Sequence, residues 1–373
     1  MSVEIWPPIA PEHLKTAVET CQKRELDWLV QELRETLTNL KHGLEDCYAL
    51  LAPIDQGSTL VLSTPRNEIV KGHITRVGTR IVKGTIHLRL RTLPQQTLTI
   101  NPDHPIHLAP LVALHTLLTH SLDLLTMTLS FTYPTESSDP SPASDSASDS
   151  KPRSSSPQLS SAVFLSSQLR LLSQSISESC AILKGPPLVT AADPSWTTRS
   201  IAPSHFDPPL TAAASNNNAG ATPIPPISFH LSIQESSIVL WLRSLEAAGA
   251  PVGFGTKLAF AIGTARRLEH DEADRMFGFC CAGEEHIGPM GSPGGVMPSS
   301  SSGRSTQTAG TGTTAGNKQQ QQPQVDVYVR EKVRVESADP SLLSLAAKLT
   351  ALGHTLGLAR RNLAAVMGEE LED

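Results

Sequence analysis

Hydrophobic residues recur at helical spacing in four long segments of the chain. The first carries apolar residues that alternate by four and three positions: Leu26, Val30, Leu33, Leu37, Leu40, Leu44, Cys47 and Leu51. This is the a/d pattern of paired helices, and it predicts a long helix over residues 11–52 with Pro11 in its first turn. Residues 106–131, 158–184 and 338–370 carry similar stripes. Each predicted helix has one apolar face, so each needs a partner that covers it.

Three other segments show the alternating pattern of β-strands: residues 56–101, 226–264 and 325–336. They are rich in β-branched residues, and Ile86 and Leu88 alternate with His87 and Arg89. The tetrapeptide Ile-Val-Lys-Gly occurs at residues 69–72 and again twelve positions later, a spacing that suits a β-hairpin. We therefore expect antiparallel strands in these segments.

Low-complexity tracts separate these elements at residues 133–157, 185–225 and 284–324. They are dominated by Ser, Pro, Gly, Asn and Gln and contain too little apolar surface to form a core, so they are predicted to be disordered insertions. The element pattern predicts an α+β fold. We expect the helices to form an antiparallel four-helix bundle, with the first and last helices together, and the strands to form a separate antiparallel β domain.

The composition narrows the class of protein. Only 18% of the 373 residues are charged, and the formal net charge of −6 gives no general reason to expect nucleic-acid binding. Five scattered cysteines do not resemble a disulfide framework. The N-terminal residues lack the basic and apolar regions of a signal peptide. We therefore expect a cytoplasmic protein.

Catalytic motifs are missing from the sequence. It contains no phosphate-binding loop, nucleophile elbow, zinc-protease motif or C-x-x-C pair. The densest group of metal-ligand residue types is His270, Cys280, Cys281 and His286. Adjacent cysteines do not easily reach one tetrahedral ion together, so small buried thiols are the favoured interpretation. We expect a protein without enzymatic activity, metal or cofactor, and an enzyme that uses these four residues remains the alternative.

Two features indicate interactions. The predicted strands at 56–101 carry seven basic residues against one acidic residue, Glu68, and these form a candidate interaction surface for an acidic partner or anionic lipid: Arg66, Lys71, Arg76, Arg80, Lys83, Arg89 and Arg91. A solvated strand face is the alternative. No aromatic residue interleaves with these charges, which argues against nucleic acid. Trp28 lies off the first helical seam, where it either packs on the β layer or belongs to a contact surface.

The first low-complexity tract contains serines followed by aspartate, at Ser144 and Ser148. Such serines in a disordered segment are candidate phosphorylation sites, and each phosphate would add a charge of about −1.5 to −2. A passive linker is the alternative.

Several strings resemble the Rogdi family, which includes subunit 2 of the RAVE complex. They are ELDWL at residues 25–29, VKG at 70–72, the strand pair SFHLSIQESSIVLWLRSL and the C-terminal REKVRVESADPSLLSLAAKL. The insertions are typical of fungal members. The resemblance implies a non-catalytic, leucine-zipper-containing regulator that promotes assembly of the soluble and membrane sectors of the vacuolar proton ATPase.

The same resemblance implies the partners and the location. The partners are a large WD-repeat RAVE subunit, a Skp-type adaptor and the peripheral sector of the proton ATPase. The location is the cytoplasm, with recruitment to vacuolar and endosomal membranes only through partners. A different class of function stays open from the residues alone. The helical seams also suit a self-associating coiled-coil scaffold without a role at the proton ATPase.

Overall fold

A computed structural model describes residues 10–52, 56–65, 68–132, 157–186, 194–210, 225–248, 270–273, 275–280 and 324–368 of the chain. The helices in these residues are α1 (Pro11–Leu50), α2 (Ala109–Thr132), α3 (Pro157–Lys184) and α4 (Pro340–Met367). Their ends follow local chemistry. Pro11 and Pro340 lie in the first turns of α1 and α4, where a missing N–H costs nothing. Gly368 ends α4 in the left-handed conformation that glycine adopts without strain.

The described strands form two antiparallel sheets. The first has the order β1-β2-β3-β4-β6, with β5 paired to β3, and contains β1 (Ser58–Ser63), β2 (Val70–Val77), β3 (Arg80–Leu88), β4 (Gln96–Ile100), β5 (Ile106–His107) and β6 (Phe206–Asp207). The second has the order β7-β8-β10-β9 and contains β7 (Ile227–Gln234), β8 (Ser237–Ala247), β9 (Met276–Cys280) and β10 (Gln324–Ala338). The strands β1 to β4 follow one another as a meander.

The predicted helical seam of α1 is buried. Leu33, Leu37, Leu40 and Leu44 are almost inaccessible, and α1 packs along α2 and α4. Helix α3 packs along the same two helices. The main hydrophobic core does not stop at the helices, because it includes side chains from both sheets. A smaller cluster lies apart from it and contains Trp196, Phe277, Phe279, Val327 and Val329.

The predicted arrangement, a self-contained antiparallel four-helix bundle beside a separate β domain, is wrong, although the α+β class holds. Helix α1 stands apart from the sheets, and its first turns extend past the other helices with every side chain of residues 11–25 exposed. At the other end the helices are joined to the second sheet. The Ser236 N–H donates to the carbonyl of Leu183 in α3 at 2.8 Å, and the core is continuous across this junction. Periodicity shows that a helix face needs cover, but it does not show what covers it.

The predicted insertion at 185–225 also contains structure. Residues 194–210 include two short 3-10 turns, at Ser195–Thr197 and Pro203–His205, and strand β6. Trp196 and Phe206 from this stretch are fully buried. Trp196 packs on Phe277 of the second sheet, and Phe206, in strand β6 of the first sheet, packs on Phe229 of the second. The Pro-rich composition around these two residues concealed their burial.

Helix α4 is long and apolar enough to cross a membrane by length and composition, with 28 residues and a mean hydropathy of 1.3 in its most apolar window. In this fold its leucine stripe has another role. Leu342, Leu345, Leu349 and Leu356 are completely buried, and α4 packs on α1 and α3. The leucine stripe therefore lies in the core, while only 28% of the most apolar window of α4 is buried.

Candidate interaction surfaces

The outer face of the first sheet carries most of the predicted basic residues. Lys71 on β2 lies directly opposite His87 on β3, and Lys83 lies opposite Thr75. Lys71, Lys83, Arg80, Arg89 and Arg91 are all exposed. Lys71 approaches the carboxylate of Glu68 only to 3.9 Å, so its charge is little neutralised. This basic face, defined by these five residues, has the exposure that an interaction surface requires.

A β-bulge sets which residues of β3 reach this face. Thr75 pairs with Lys83 and Arg76 pairs with Ile81, so Val82 is the extra residue of the bulge. The bulge lets Ile81 stay in the core while Arg80 and Lys83 both remain exposed. It therefore places two positive charges on the outer face within four residues.

The repeated Ile-Val-Lys-Gly tetrapeptide matches the central hairpin of this sheet. In each copy the lysine is exposed and the following glycine lies against the neighbouring strand. A Cβ at Gly72 would lie 2.1 Å from the carbonyl oxygen of Thr85, and one at Gly84 would lie 2.6 Å from that of His73. Glycine is needed at both positions because the strand backbones approach too closely for a side chain.

Arg76 does not belong to the basic face. Its side chain is 3% exposed, and its Nε donates to Oδ2 of Asp339 at 2.6 Å while Nη1 donates to the carbonyl of Gly78. Arg76 follows Val70 and Ile74 at even spacing on β2, so it points to the core side of the sheet. Its inclusion in the predicted surface is wrong. Arg66 lies outside the described residues.

Trp28 is 62% exposed and does not pack on a β layer, so that alternative for this residue is wrong. It lies one position before Leu29, the first buried residue of α1. Trp28 thus marks the point where α1 leaves the other helices. A large exposed aromatic side chain at such a point has the character of a contact residue.

A buried acid that the sequence did not reveal connects the two sheets. The Glu331 carboxylate, 4% exposed, accepts hydrogen bonds from the backbone N–H of Arg91 at 2.8 Å and of Thr92 at 3.2 Å. The Thr92 hydroxyl also donates to Ser244 at 2.8 Å. Glu331 follows a register shift in β10 that turns it toward the end of β3. These bonds fix the basic face relative to the second sheet.

A second buried charge cluster lies on the second sheet. Nε and Nη2 of Arg243 donate to the two carboxylate oxygens of Glu272 at 2.7 and 2.9 Å, and Lys332 lies 2.6 Å from the same carboxylate. The guanidinium stacks 4.6 Å from the ring of Trp196 and 5.6 Å from that of Trp241. Burial opposes ionisation of Glu272, but hydrogen bonds from Arg243 and Lys332 outweigh it and lower its pKa.

No group of three or more His, Cys, Asp or Glu residues able to hold a metal occurs among the described residues. Of the four predicted ligand types, His270 and Cys280 are described and Cys281 and His286 lie outside. The His270 Nδ1 accepts a hydrogen bond from the backbone N–H of Glu272 at 3.1 Å, which supports the buried charge cluster. Ser144 and Ser148 also lie outside the described residues, so their phosphorylation stays a prediction.

Comparison of the chain with models of known protein families identifies a match. A model of the Rogdi leucine zipper containing protein family matches residues 25–364. The chain belongs to the Rogdi family. The match begins beside the half-buried Leu26 of α1 and ends inside α4, so it includes both sheets, α2, α3 and most of α1 and α4. Rogdi-like proteins are not a known enzyme family. No curated protein matches the chain.

Proposed function

We propose that this Rogdi-family chain is a non-catalytic subunit of a RAVE-type complex. In this role it promotes assembly of the soluble ATPase sector with the membrane sector of the vacuolar and endosomal proton ATPase, and thereby acidifies the vacuole. The match to the Rogdi leucine zipper family over residues 25–364 carries the proposal. The proposed partners are a large WD-repeat subunit, a Skp-type adaptor and the peripheral sector of the ATPase. The proposed location is the cytoplasm, with recruitment to the membrane through these partners.

The chemistry of the described surface supports action by binding. The buried charges of Arg76, Arg243 and Glu272 are held in fixed ion pairs inside the fold. Exposed basic side chains, among them Lys71 and Lys83, lie instead on the outer face of the first sheet. An exposed basic face favours rapid encounter with an acidic partner surface. We therefore assign partner contact to the basic face.

The experiment is an affinity purification of the tagged, natively expressed chain at moderate salt, followed by mass spectrometry. We expect recovery of a large WD-repeat protein and of peripheral ATPase subunits. Deletion of the gene should leave the vacuole poorly acidified, measured with a ratiometric pH dye. Recovery of the bait alone together with normal vacuolar pH would remove the proposal.

Charge reversal tests the assigned surface. Lys71→Glu with Lys83→Glu should reduce partner recovery several-fold and increase its salt sensitivity. Arg170→Glu, an exposed charge on α3, is the matched control and should leave recovery unchanged. Equal recovery by all three chains would place the contact elsewhere while leaving the assembly role intact. Sedimentation equilibrium of the purified chain tests the scaffold alternative, which requires a stable oligomer.

A further inference from the structure

The first turns of α1 have no packing partner among the residues that the structure describes. Every side chain from Pro11 to Glu25 is exposed, whereas burial begins at Leu29. Fifteen residues correspond to a projection of about 22 Å. We call this segment the α1 extension. Isolated helices shorter than about 12–15 residues are marginal in water, because most helical stability comes from packing of an apolar face. The α1 extension is not isolated, because it continues the packed part of α1, but its own apolar side chains are exposed.

Apolar residues on the α1 extension form a stripe of their own. Leu14, Val18 and Cys21 are separated by four and three positions, and Trp28 follows after one further heptad. Leu14 is 52% exposed and Val18 is 47% exposed. The spacing is that of a and d positions, which face a partner helix in a coiled coil.

This stripe is not a continuation of the buried seam. At 3.6 residues per turn its centre is rotated by about 100° around the helix axis from the seam that starts at Leu26. Polar residues Lys15, Glu19 and Gln22 occupy the α1 extension in line with the buried seam. The apolar side chains therefore change face where the internal partner helices end. If the buried seam simply continued past its partner helices, the apolar side chains would stay on the same face of α1.

The charges beside the stripe define its partner. The same helical geometry places Lys15 on one flank of the stripe and Arg24 on the other. Glu19 lies about 40° further round the helix than Lys15, and Glu12, Lys23 and Asp27 lie on the back of the helix. We propose that the α1 extension docks, through Leu14, Val18, Cys21 and Trp28, a helix of another protein that carries acidic side chains on both flanks of its apolar seam. Flanking charges of opposite sign set partner choice in paired helices.

A second copy of this chain fits the stripe less well. Whether the second copy lay parallel or antiparallel, the flanks of the two stripes would face each other. Both flanks are basic, through Lys15 and Arg24, so they would repel. In a parallel pair the second copy would also place Glu25, which lies within the stripe, opposite its own copy. An anionic membrane fits less well too. Residues 11–28 contain three basic residues (Lys15, Lys23, Arg24) and four acidic ones (Glu12, Glu19, Glu25, Asp27), a formal net charge of −1.

The proposal deepens the proposed function, and it rests on that function only in assuming that the chain acts by binding. It is tested with the full-length chain and two labelled synthetic peptides. Both peptides have leucine at every a and d position, and they differ in having either glutamate or lysine at every e and g position. Fluorescence anisotropy should show the acidic peptide binding at least about tenfold more tightly than the basic one.

Variants of exposed residues separate binding from folding. Val18→Glu with Cys21→Glu should abolish peptide binding and leave the circular dichroism spectrum of the folded chain in place, because both side chains are exposed. Lys15→Glu with Arg24→Glu should reverse the preference toward the basic peptide. Val163→Glu is the matched control, since Val163 is an apolar residue on α3 that is 51% exposed, and it should bind the acidic peptide like the unchanged chain.

Three results would overturn the proposal. The first is equal or absent binding of the two peptides. The second is a micromolar dimer in sedimentation equilibrium that Val18→Glu dissociates, which would make a second copy the occupant. The third is binding of phosphatidylserine vesicles that Val18→Glu abolishes. The variant Val18→Glu with Cys21→Glu also separates this proposal from the proposed function. If it still recovers the WD-repeat partner, the proposed function stands, and the helix that docks on the stripe belongs to a different protein.

Discussion

Arg76 and Asp339 form a buried ion pair although they are 263 positions apart in the sequence. The Nε of Arg76 lies 2.6 Å from Oδ2 of Asp339, and the two side chains are 3% and 0% exposed. The other carboxylate oxygen accepts from the backbone N–H of Ser341 at 3.0 Å, which caps α4. One carboxylate thus joins β2 to the start of the last helix. The pair fixes the first sheet against α4.

The first prediction concerns removal of this charge. Asp339→Asn keeps a cap for α4 but leaves the Arg76 guanidinium buried without its counter-charge. Removing one partner of a buried pair costs about 3–5 kcal/mol, so the free energy of unfolding should fall by about that amount. Urea denaturation followed by circular dichroism measures it.

The double variant Arg76→Leu with Asp339→Leu tests whether the lost stability comes from an unpaired buried charge. Together they remove both charges, and the double variant should be more stable than Asp339→Asn, because no uncompensated charge remains. Lys348→Ala is the control, since its ion pair with Asp46 is on the surface and should contribute no measurable stability. If Asp339→Asn matched the unchanged chain, the role assigned to this pair would be wrong.

The second prediction concerns Glu331 between the sheets. Glu331→Ala leaves the N–H groups of Arg91 and Thr92 without their acceptor, which should cost about 1–3 kcal/mol. Glu331→Gln retains an oxygen acceptor and should cost less. Hydrogen exchange of the two amides should accelerate in Glu331→Ala, while amides within β2 keep their protection. Unchanged exchange at residues 91 and 92 would contradict the assigned contact.

The sequence predicted helices and strands better than it predicted contacts between distant residues. The a/d spacing located the seam of α1 because helical periodicity is encoded within a few turns. The error at Arg76 came from counting charges along β2 instead of following the alternation of Val70, Ile74 and Arg76. The hydrogen bond that the Arg91 N–H donates to Glu331 joins residues 240 positions apart, so no local pattern marks it. Trp196 was missed because prolines and polar residues surround it in the sequence.

The third prediction is a pH dependence that follows from Glu272. Its folded-state pKa lies below the ordinary value of 4.5. A carboxyl group with a lowered folded pKa contributes stability that is fully present above its unfolded pKa, and that is lost as the pH falls through the folded pKa. The stabilisation by Glu272 should therefore persist from pH 7 to about pH 4.5 and decrease at lower pH.

The contribution of Glu272 can be measured as the difference in the free energy of unfolding between the unchanged chain and Glu272→Gln. The variant leaves Arg243 and Lys332 without their shared counter-charge, and at pH 7 it should lose about 3 kcal/mol of stability. As the pH falls below the unfolded pKa of about 4.5, the gap from the unchanged chain should narrow, because the unfolded state then takes up a proton at Glu272 that the folded state does not. Asp271→Asn, at the exposed edge of the same cluster, is the control and should have a small effect. A gap that stays constant from pH 7 to pH 3 would contradict the assignment.

The fourth prediction uses Cys47, which occupies the buried seam of α1 as a small apolar residue. Burial raises the pKa of its thiol to about 11. At pH 8 only about one thiol in a thousand is then ionised, and the thiolate is the reactive form. Native Cys47 should resist iodoacetamide at pH 8, whereas the exposed Cys21 should react readily. Peptide mass spectrometry after timed labelling measures both, and labelling in urea should remove the difference because unfolding exposes the seam. Equal labelling of the two cysteines in the native chain would show that the α1 seam opens in solution.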